Sequence, residues 1–248
     1  MGKVTVQFLG SGDAFGSGGR FQTCILVSYE NRHFLIDCGT SALISMKRFG
    51  VSPALIDAIF VTHLHGDHFG GLPFLILDAQ FLSKRKKPLD ILGPPGLGLR
   101  LHEAMEVLFP GSSATEQRFD IGLVELEERR ATEIAAGPIV TAYRVSHESG
   151  APSFALRVQC GDKVIAYSGD TEWDDTLIEV ASDADLFICE AYFFDKRVRY
   201  HLDYESLRDH LDQLRCRRLI LTHMNEDLLK RLSEVDAESA EDGKSITV

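Results

Sequence analysis

Six consecutive residues, His63-Leu64-His65-Gly66-Asp67-His68, place three imidazoles and one carboxylate in a single short segment. Neutral imidazole suits zinc, iron, nickel and copper, whereas carboxylate suits harder ions, and a mixture of the two is typical of a hydrolytic centre. A solvated histidine-rich turn is the alternative, but low-complexity histidine tracts lack an embedded aspartate and defined flanks. The motif therefore predicts a metal site, to which the rest of the fold must bring further ligands.

The residues on either side of this motif predict where it lies. Residues 57–62 are mostly apolar and predict a buried strand, while Gly70-Gly71-Leu72-Pro73 opens an apolar segment that predicts a helix. In an extended or tight-turn segment His63 and His65 point the same way, whereas Asp67 and His68 diverge. We therefore expect a strand-to-helix loop that serves two neighbouring ions.

The length and charge of the chain restrict its class and its partners. A chain of 248 residues buries a sizeable core without disulfides, and 44% hydrophobic with 25% charged residues is typical of a soluble globular protein. The formal net charge of −11 repels polyanions, so a nucleic-acid substrate needs a local basic patch. One candidate is Lys84-Arg85-Lys86-Lys87, for which a solvated helix end is the simpler interpretation. The other is Lys196, Arg197 and Arg199, just ahead of His201.

The cysteines and the N-terminus favour a cytoplasmic protein. The five cysteines are odd in number and widely spaced, which predicts small core residues in a reducing compartment rather than a disulfide framework: Cys24, Cys38, Cys160, Cys189 and Cys216. Residues 4–9 look like a strand, and no basic-then-apolar leader precedes them. No segment is apolar over the length needed to span a bilayer, so no membrane association is expected.

Hydrophobic patterning predicts an α/β protein. Strand-like segments recur at 4–9, 24–29, 33–37, 57–62, 89–92, 139–145, 153–159, 163–168, 185–189 and 218–222. Helical patterns lie near 41–49, 71–83, 96–108, 174–181 and 203–214, with Asp174 and Asp203 as N-caps of the last two. Early hairpins followed by mixed alternation favour layered sheets that bury one face each.

Two further segments and the number of domains can also be predicted from the sequence. Residues 10–19 are glycine-rich but lack the Lys-Ser/Thr of a phosphate-binding loop, so a flexible turn with several positive-φ residues is the favoured interpretation. No Ser/Pro/Gly linker divides the chain, which predicts a single domain over residues 1–248. Residues 226–248 are rich in charge and predict a C-terminal tail that forms a solvated helix or a frayed end.

Polar residues that follow three other predicted strands supply the missing ligands. His147 follows 139–145, Asp170 follows 163–168, and His223 follows 218–222. Each has an ordinary alternative as a loop or turn residue, but three such coincidences after three strands make the alternatives poor. Loops at strand ends converge on one edge of a sheet, so these side chains are expected to join the His63–His68 motif.

Taken together, these residues resemble the metallo-β-lactamase superfamily, and within it the ribonuclease Z-like and phosphodiesterase branch. The motifs that carry the resemblance are Phe8-Leu9-Gly10-Ser11-Gly12, Leu35-Ile36-Asp37-Cys38-Gly39, the His63–His68 segment, Gly93-Pro94-Pro95, Ser168-Gly169-Asp170-Thr171, Cys189-Glu190-Ala191 and Ile220-Leu221-Thr222-His223. The resemblance implies a four-layer αββα sandwich, the metallo-β-lactamase fold, with a dinuclear centre between its sheets.

The resemblance also implies a role for each candidate site residue. The first ion would be held by His63, His65 and His147, and the second by Asp67, His68 and His223, with Asp170 as the bridge. Asp67 would orient or deprotonate the attacking water. His201 lies where this branch carries a general-acid histidine, and Glu190 would keep that imidazole protonated. A capping or surface histidine is the alternative for His201.

Two departures from the ribonuclease Z pattern bear on the substrate. Leu202 and Asp203 follow His201, where such enzymes tend to have Ser or Thr. Only 22 residues separate His147 from Asp170, which leaves room for two strands but not for a long tRNA-gripping arm. With the acidic net charge, these departures favour a small or cyclic phosphodiester, such as a cyclic nucleotide, over nucleic acid.

The sequence leaves several alternatives open. A tRNA 3′-processing endonuclease, in which a dimer partner or the Lys84–Lys87 patch recognises the RNA, is the second hypothesis, and a thioester or lactone hydrolase that does not need His201 is the third. A protein in which metal only stabilises a binding module is disfavoured, because structural zinc sites are closed. The expected cofactors are two divalent ions, zinc first, with manganese or iron as alternatives. A homodimer also stays open.

Overall fold

Two mixed sheets of seven strands each dominate the computed structural model, which describes residues 2–134 and 137–248. The first sheet has the order β14-β1-β2-β3-β4-β5-β6, formed by β1 (Val4–Gly10), β2 (Cys24–Tyr29), β3 (Arg32–Ile36), β4 (Ala58–Phe60), β5 (Leu89–Gly93), β6 (Ile121–Glu125) and β14 (Ser245–Thr247). The second has the order β13-β12-β11-β10-β9-β8-β7, formed by β7 (Ala131–Glu133), β8 (Ile139–Arg144), β9 (Phe154–Cys160), β10 (Lys163–Tyr167), β11 (Leu186–Glu190), β12 (Leu219–Thr222) and β13 (Glu238–Ser239).

Helices cover the outer face of each sheet. They are α1 (Ala42–Arg48), α2 (Gly66–Phe69), α3 (Leu72–Phe81), α4 (Leu97–Leu108), α5 (Thr176–Ala181), α6 (Tyr204–Arg208) and α7 (Glu226–Lys230). Successive residues of a strand face opposite sides of its sheet. Phe34 and Ile36 accordingly join the core between the two sheets, whereas Leu35 packs with residues of α1, α3 and α4. The result is the expected four-layer αββα sandwich.

Parallel strands bring the ends of several loops to one edge of the sandwich. In the first sheet β3, β4 and β5 are parallel neighbours, and in the second β10, β11 and β12 are. Their carboxyl ends therefore point the same way within each sheet, and the residues that follow them collect along one edge. Asp37, His63, Asp170 and His223 all follow the ends of these strands, and Glu190 is the last residue of one of them.

Most predicted elements are confirmed, with boundaries shifted by one to three residues. The Asp203 side chain accepts a hydrogen bond from Ser206 N (2.9 Å), as expected of an N-cap. The N-cap of α5 is Asp175 rather than the predicted Asp174, because the helix begins at Thr176; the Asp174 side chain accepts a hydrogen bond from Thr176 N (2.8 Å) in the turn before it. The predicted helix over 203–214 is shorter, because α6 ends at Arg208 and a 3-10 turn follows. The strands β6 and β7 were not predicted, because both are sheet edges with few buried residues and no clear alternation.

The glycine-rich segment has the predicted positive-φ residues, Gly16, Gly18 and Gly19. A buried side chain also stabilises the conformation of this segment. Asp13 is fully buried, and its Oδ1 accepts hydrogen bonds from Phe15 N (3.2 Å) and Ser17 N (2.9 Å). The cysteines are free, and only Cys216 is not fully buried, which agrees with their prediction as core residues. Within the described ranges no helix is long and apolar enough to cross a membrane.

The expectation that residues 226–248 form a solvated helix or frayed end is wrong beyond the short helix α7. The strand β13 pairs with β12, and β14 pairs with β1 at the edge of the other sheet. Ala240 and Ile246 are only 0% and 3% exposed. The two short strands were not predicted, because charged residues interrupt their apolar pattern. The residues that pair with β14 lie more than 200 positions away in the sequence, and those that pair with β13 lie about 18 positions away. The segment is part of both sheets.

Shortening Ile246 to alanine tests this integration. Ile246 pairs with Val6 and packs in the core between the sheets, so Ile246→Ala is expected to lower the free energy of unfolding by about 2–5 kcal/mol. The matched control is Thr247→Ala at the exposed neighbouring position, with an expected loss below about 1 kcal/mol. Chemical denaturation measures both, and equal small effects would mean that the segment is frayed in solution.

Candidate metal centre

The first group of donors contains three histidines from two loops. His63 and His65 follow β4, and His147 follows β8; one ring nitrogen of each lies within 4.8 Å of the others. His65 Nδ1 and His147 Nε2 are 3.0 Å apart, and the rings of His63 and His147 are 4.6 Å apart between centroids. His63 is fully buried, His147 is 8% exposed and His65 is half-buried. The structure therefore brings the first predicted set together.

The second group contains Asp67, His68, Asp170 and His223, all of them buried. His68 Nε2 lies 3.3 Å from His223 Nε2 and 3.2 Å from Asp67 Oδ2. Asp67 and His68 lie in the one-turn helix α2 rather than in a loop, and they belong to a different donor group from His63 and His65, although the rings of His63 and His68 are only 4.1 Å apart between centroids. The backbone changes conformation at Gly66, where this helix begins.

Asp170 lies between the two groups. Its Oδ2 is 3.8 Å from His63 Nε2, 4.0 Å from His147 Nε2 and 3.5 Å from His223 Nε2. Its Oδ1 is 3.3 Å from His68 Nε2. One carboxylate therefore faces donors of both groups, which is the geometry needed for a residue that bridges two ions.

Buried polar atoms without partners show that these donors suit cations. Among the described residues, His63 Nε2 and Asp170 Oδ1 are buried beside the other donors and make no hydrogen bond. Leaving such atoms unpaired costs free energy, and a cation at the centre of the cluster offsets that cost. Imidazole and carboxylate donors together match the ligands of zinc and related divalent ions. The residues present fit a pair of divalent metals.

Neighbouring groups orient the imidazoles so that ligand nitrogens face the centre. His68 Nδ1 donates to Asp37 Oδ2 (2.7 Å), and His147 Nδ1 donates to the carbonyl of Tyr200 (2.8 Å). The Thr62 hydroxyl donates to Asp37 Oδ2 (2.9 Å), which leaves its oxygen to accept from His63 Nδ1 (3.0 Å). In each ring the proton is fixed on Nδ1 and Nε2 is free to bind a metal.

The role of Asp37 was not predicted from the sequence. It is fully buried, and its backbone adopts φ 60°, an uncommon value for a residue other than glycine. Its signal was present, because Asp37 follows β3 as Asp170 follows β10. The convergence of strand ends that predicted the candidate ligands also points to this supporting carboxylate.

His201 and Glu190 form a pair at the border of the second group. His201 Nδ1 hydrogen-bonds to Glu190 Oε1 and lies 4.0 Å from Asp170 Oδ2. Glu190 is fully buried and also accepts from Thr171 N (2.8 Å), so its position is fixed. Tyr192 stacks on the His201 ring at 4.7 Å between centroids, a contact that the sequence did not predict. The side chain of His201 keeps 24% exposure, so it reaches both the cluster and solvent.

The charges in the cluster shift the pKa values of its histidines in opposite directions. Burial and the neighbouring His68 lower the pKa of His63, which keeps that ring neutral as a metal ligand requires. Burial also acts to lower the pKa of His68, but the carboxylates of Asp170, Asp67 and Asp37 raise it well above its ordinary value. These carboxylates favour positive charge at Nε2, and a cation bound there would take the place of the second proton. For His201, burial is outweighed by the charge and hydrogen bond of Glu190, which raise its pKa and favour the protonated ring.

The two basic segments lie in different places. The lysines of Lys84–Lys87 are exposed as expected, but Arg85 is buried and donates to the carbonyls of Lys87 (2.7 Å) and Ala54 (3.3 Å). This segment precedes β5, at the edge of the sheet opposite the metal cluster. Lys196, Arg197 and Arg199 are exposed in the loop that leads into His201.

Comparison with known proteins agrees with this geometry. The ribonuclease Z of Haloferax volcanii is 30% identical, with 99% of this chain and 95% of that protein covered. The crystal structure of the short form of human tRNase Z has a TM-score of 0.77 at 28% identity and covers 98% of both chains. A diphosphatase from the PhnP family has the same TM-score at 19% identity, with 98% of this chain and 97% of that chain covered, and shares the fold.

The alignment with the Haloferax protein extends over 305 positions, more than the 248 residues of this chain, so that relative carries insertions. A family model described as "Anti-Pycsar protein Apyc1" matches residues 4–240, which is nearly the whole chain. The chain therefore belongs to the anti-Pycsar protein Apyc1 family and is a metal-dependent hydrolase of the metallo-β-lactamase superfamily, similar to ribonuclease Z.

Proposed function

We propose that this hydrolase is a phosphodiesterase whose substrate is a small or cyclic phosphodiester, such as a cyclic nucleotide. The observation that carries the proposal is the His201–Glu190 pair, which lies within 4.0 Å of the shared carboxylate Asp170. Hydrolysis of an alkyl phosphodiester expels an alkoxide, which needs a proton donor. A histidine whose protonated form is favoured by a buried carboxylate would supply that proton.

The seven predicted donors are proposed as the ligands of two divalent ions, with Asp170 shared between them. Zinc is the first candidate, because five of the seven donors are imidazoles, and manganese and iron are alternatives. Bound there, the two ions would supply positive charge to the attacked phosphoryl group and make a water molecule nucleophilic near neutral pH.

The side chains of the chain itself would then perform the proton transfers. Asp67 is buried, and its Oδ2 lies 3.3 Å from His223 Nε2, so it is placed to orient the attacking water or accept its proton. His201, whose Nδ1 lies 4.0 Å from Asp170 Oδ2, would donate to the leaving oxygen. Glu190 holds His201 Nδ1, which leaves Nε2 for that donation.

Four features favour a small substrate over tRNA. The net charge of −11 opposes binding of a long polyanion, and the Lys84–Lys87 segment lies away from the cluster. Only β9, β10 and their connecting turn lie between His147 and Asp170. A cavity of about 280 Å³ borders His201 and is lined by Trp173, Arg197 and His210 among others. Its volume suits one ring system rather than a folded RNA.

Processing of tRNA remains the second candidate, because the curated relatives are named ribonuclease Z. Lys196, Arg197 and Arg199 are exposed near His201 and give this candidate a basic surface at the site itself. Thioester or lactone hydrolysis is the third. A thioester expels a thiolate, which leaves without a proton from His201, so His201→Ala separates thioester hydrolysis from the phosphodiester proposal. A lactone expels an alkoxide, so lactone hydrolysis is separated by direct comparison of substrates.

Removing one donor tests the metal assignment. His65→Ala is expected to lower the bound metal from two ions per chain to one, because the first group keeps only two histidines. The value of kcat/KM is expected to fall at least about 100-fold with it. His102→Ala is the matched control, since His102 contacts Ser113 and belongs to neither group. Elemental analysis of the purified variants gives the stoichiometry, and two ions in His65→Ala would contradict the assignment.

The leaving group tests the role of His201. We expect His201→Ala to reduce hydrolysis of a cyclic nucleotide by about 10²–10⁴-fold, because its leaving alkoxide needs the proton. Hydrolysis of a p-nitrophenyl phosphodiester is expected to change less than about 5-fold, because p-nitrophenolate leaves without protonation. His33→Ala, at a half-buried histidine near Asp57, serves as control. Equal losses on both substrates would mean that His201 is structural rather than a proton donor.

A direct comparison of substrates tests the function itself. With protein of known metal content, kcat/KM is measured for a cyclic nucleotide, an aryl phosphodiester, a precursor tRNA, a thioester and a lactone. The proposal expects the cyclic nucleotide to exceed the precursor tRNA and both carbonyl substrates at least about 10-fold. The highest value on precursor tRNA would support the second candidate, and the highest value on a thioester or lactone would support the third.

A further inference from the structure

The carboxylate of Asp242, near the C-terminus, binds the loop that follows β1. Asp242 Oδ1 accepts hydrogen bonds from Ser11 N and Ser11 Oγ, both at 2.9 Å, and Asp242 Oδ2 accepts one from Phe21 N at 2.8 Å. These residues are more than 220 positions apart in the sequence. Hydrogen bonds to an ionised acceptor are stronger than neutral ones, so Asp242 fixes the position of Ser11.

Ser11 in turn holds the backbone of His223. The carbonyl of Ser11 accepts hydrogen bonds from His223 N (3.1 Å) and from Thr222 Oγ1 (3.3 Å). Ser11 is fully buried, and Thr222 and His223 are each 1% exposed. The connection from Asp242 to His223 therefore runs through one residue. Its bonds to His223 and Thr222 are buried, whereas its bonds to the half-buried Asp242 are partly buried.

The backbone of His223 needs such support. Its φ is 58°, in the left-handed region that side chains other than glycine rarely adopt. A residue held in this region costs free energy, and surrounding contacts must impose the conformation. The next segment contributes a second contact, because Ala240 N donates to the carbonyl of Leu221 at 2.7 Å, two residues before His223.

We propose that Asp242 is a positioning residue for the metal centre: through Ser11 it holds His223 in the orientation that binds the ion of the second group. The segment 238–242 thus links the C-terminal end of the chain to metal affinity. This inference rests on the ligand role proposed for His223. Groups that orient a metal ligand typically change metal affinity 10–100-fold when they are removed.

A pair of neighbouring acidic residues gives a matched test. Asp242→Ala is expected to weaken binding of one of the two ions by about 10–100-fold and to leave the other unchanged. Glu241→Ala removes the same charge at an exposed position and is expected to change neither affinity more than about 2-fold. Competition with a chromogenic chelator, with zinc as the probe, measures both affinities. Unchanged binding of both ions in Asp242→Ala overturns the inference.

A second variant covers the case in which Asp242→Ala does not fold. Asp242→Asn replaces one acceptor oxygen by an amide group that cannot accept, so either Ser11 or Phe21 loses its bond. Its expected loss of affinity lies between those of the wild type and Asp242→Ala, and thermal unfolding of the metal-free protein reports the fold separately. Equal loss of both ions, with a folded protein, also overturns the inference.

A double-mutant cycle with His223→Ala distinguishes positioning from general destabilisation. If Asp242 acts through His223, then adding Asp242→Ala to His223→Ala changes zinc affinity less than about 2-fold further. A further loss as large as in the wild-type background contradicts the inference. If His223→Ala itself leaves zinc binding unchanged, the ligand assignment fails instead, so the two failures are distinguishable.

Discussion

At one edge of the sandwich, four buried carboxylates meet six imidazoles, and the mutual neutralisation of these groups is the constraint on which the rest of the structure depends. Asp37, Asp67, Asp170 and Glu190 are each at most 8% exposed. Ionised groups taken out of water are costly unless charge of opposite sign meets them. Here ring nitrogens face one another at 3.0 and 3.3 Å around Asp170, an arrangement that cations at the centre stabilise. Binding of two metal ions and folding of the protein are therefore expected to stabilise each other.

The sandwich is organised to deliver these groups to one place. Each sheet contributes parallel strands whose carboxyl ends meet at the same edge, and polar residues follow nearly every one of them. The supporting hydrogen bonds come from the same strand ends, as with Asp37 for His68 and Glu190 for His201. A residue near the C-terminus also contributes to this support, since Asp242 accepts a hydrogen bond from Ser11 in the loop after β1. The same strand topology thus places both the candidate ligands and the residues that support them.

The sequence predicted that these side chains cluster, because the signals for the cluster are local. A histidine or aspartate directly after an apolar strand is recognisable without knowledge of the fold. His147, Asp170 and His223 could be predicted for this reason, and the structure places them beside the His63–His68 motif. Strands with buried faces were found for the same reason. What escaped prediction depends on distant partners: β14 is a strand only because β1 lies beside it, and Tyr192 contacts His201 only through the path of the loop between them. Edge strands such as β6 bury little and leave no pattern.

The most direct test of the metal centre is the anomalous diffraction of a crystal grown with zinc, recorded on both sides of the zinc absorption edge. The account predicts two peaks, one among His63, His65 and His147 and one among Asp67, His68 and His223, with the Asp170 carboxylate between them. Their expected separation is about 3.5–4 Å. A single peak, or zinc bound only away from these residues, would contradict it.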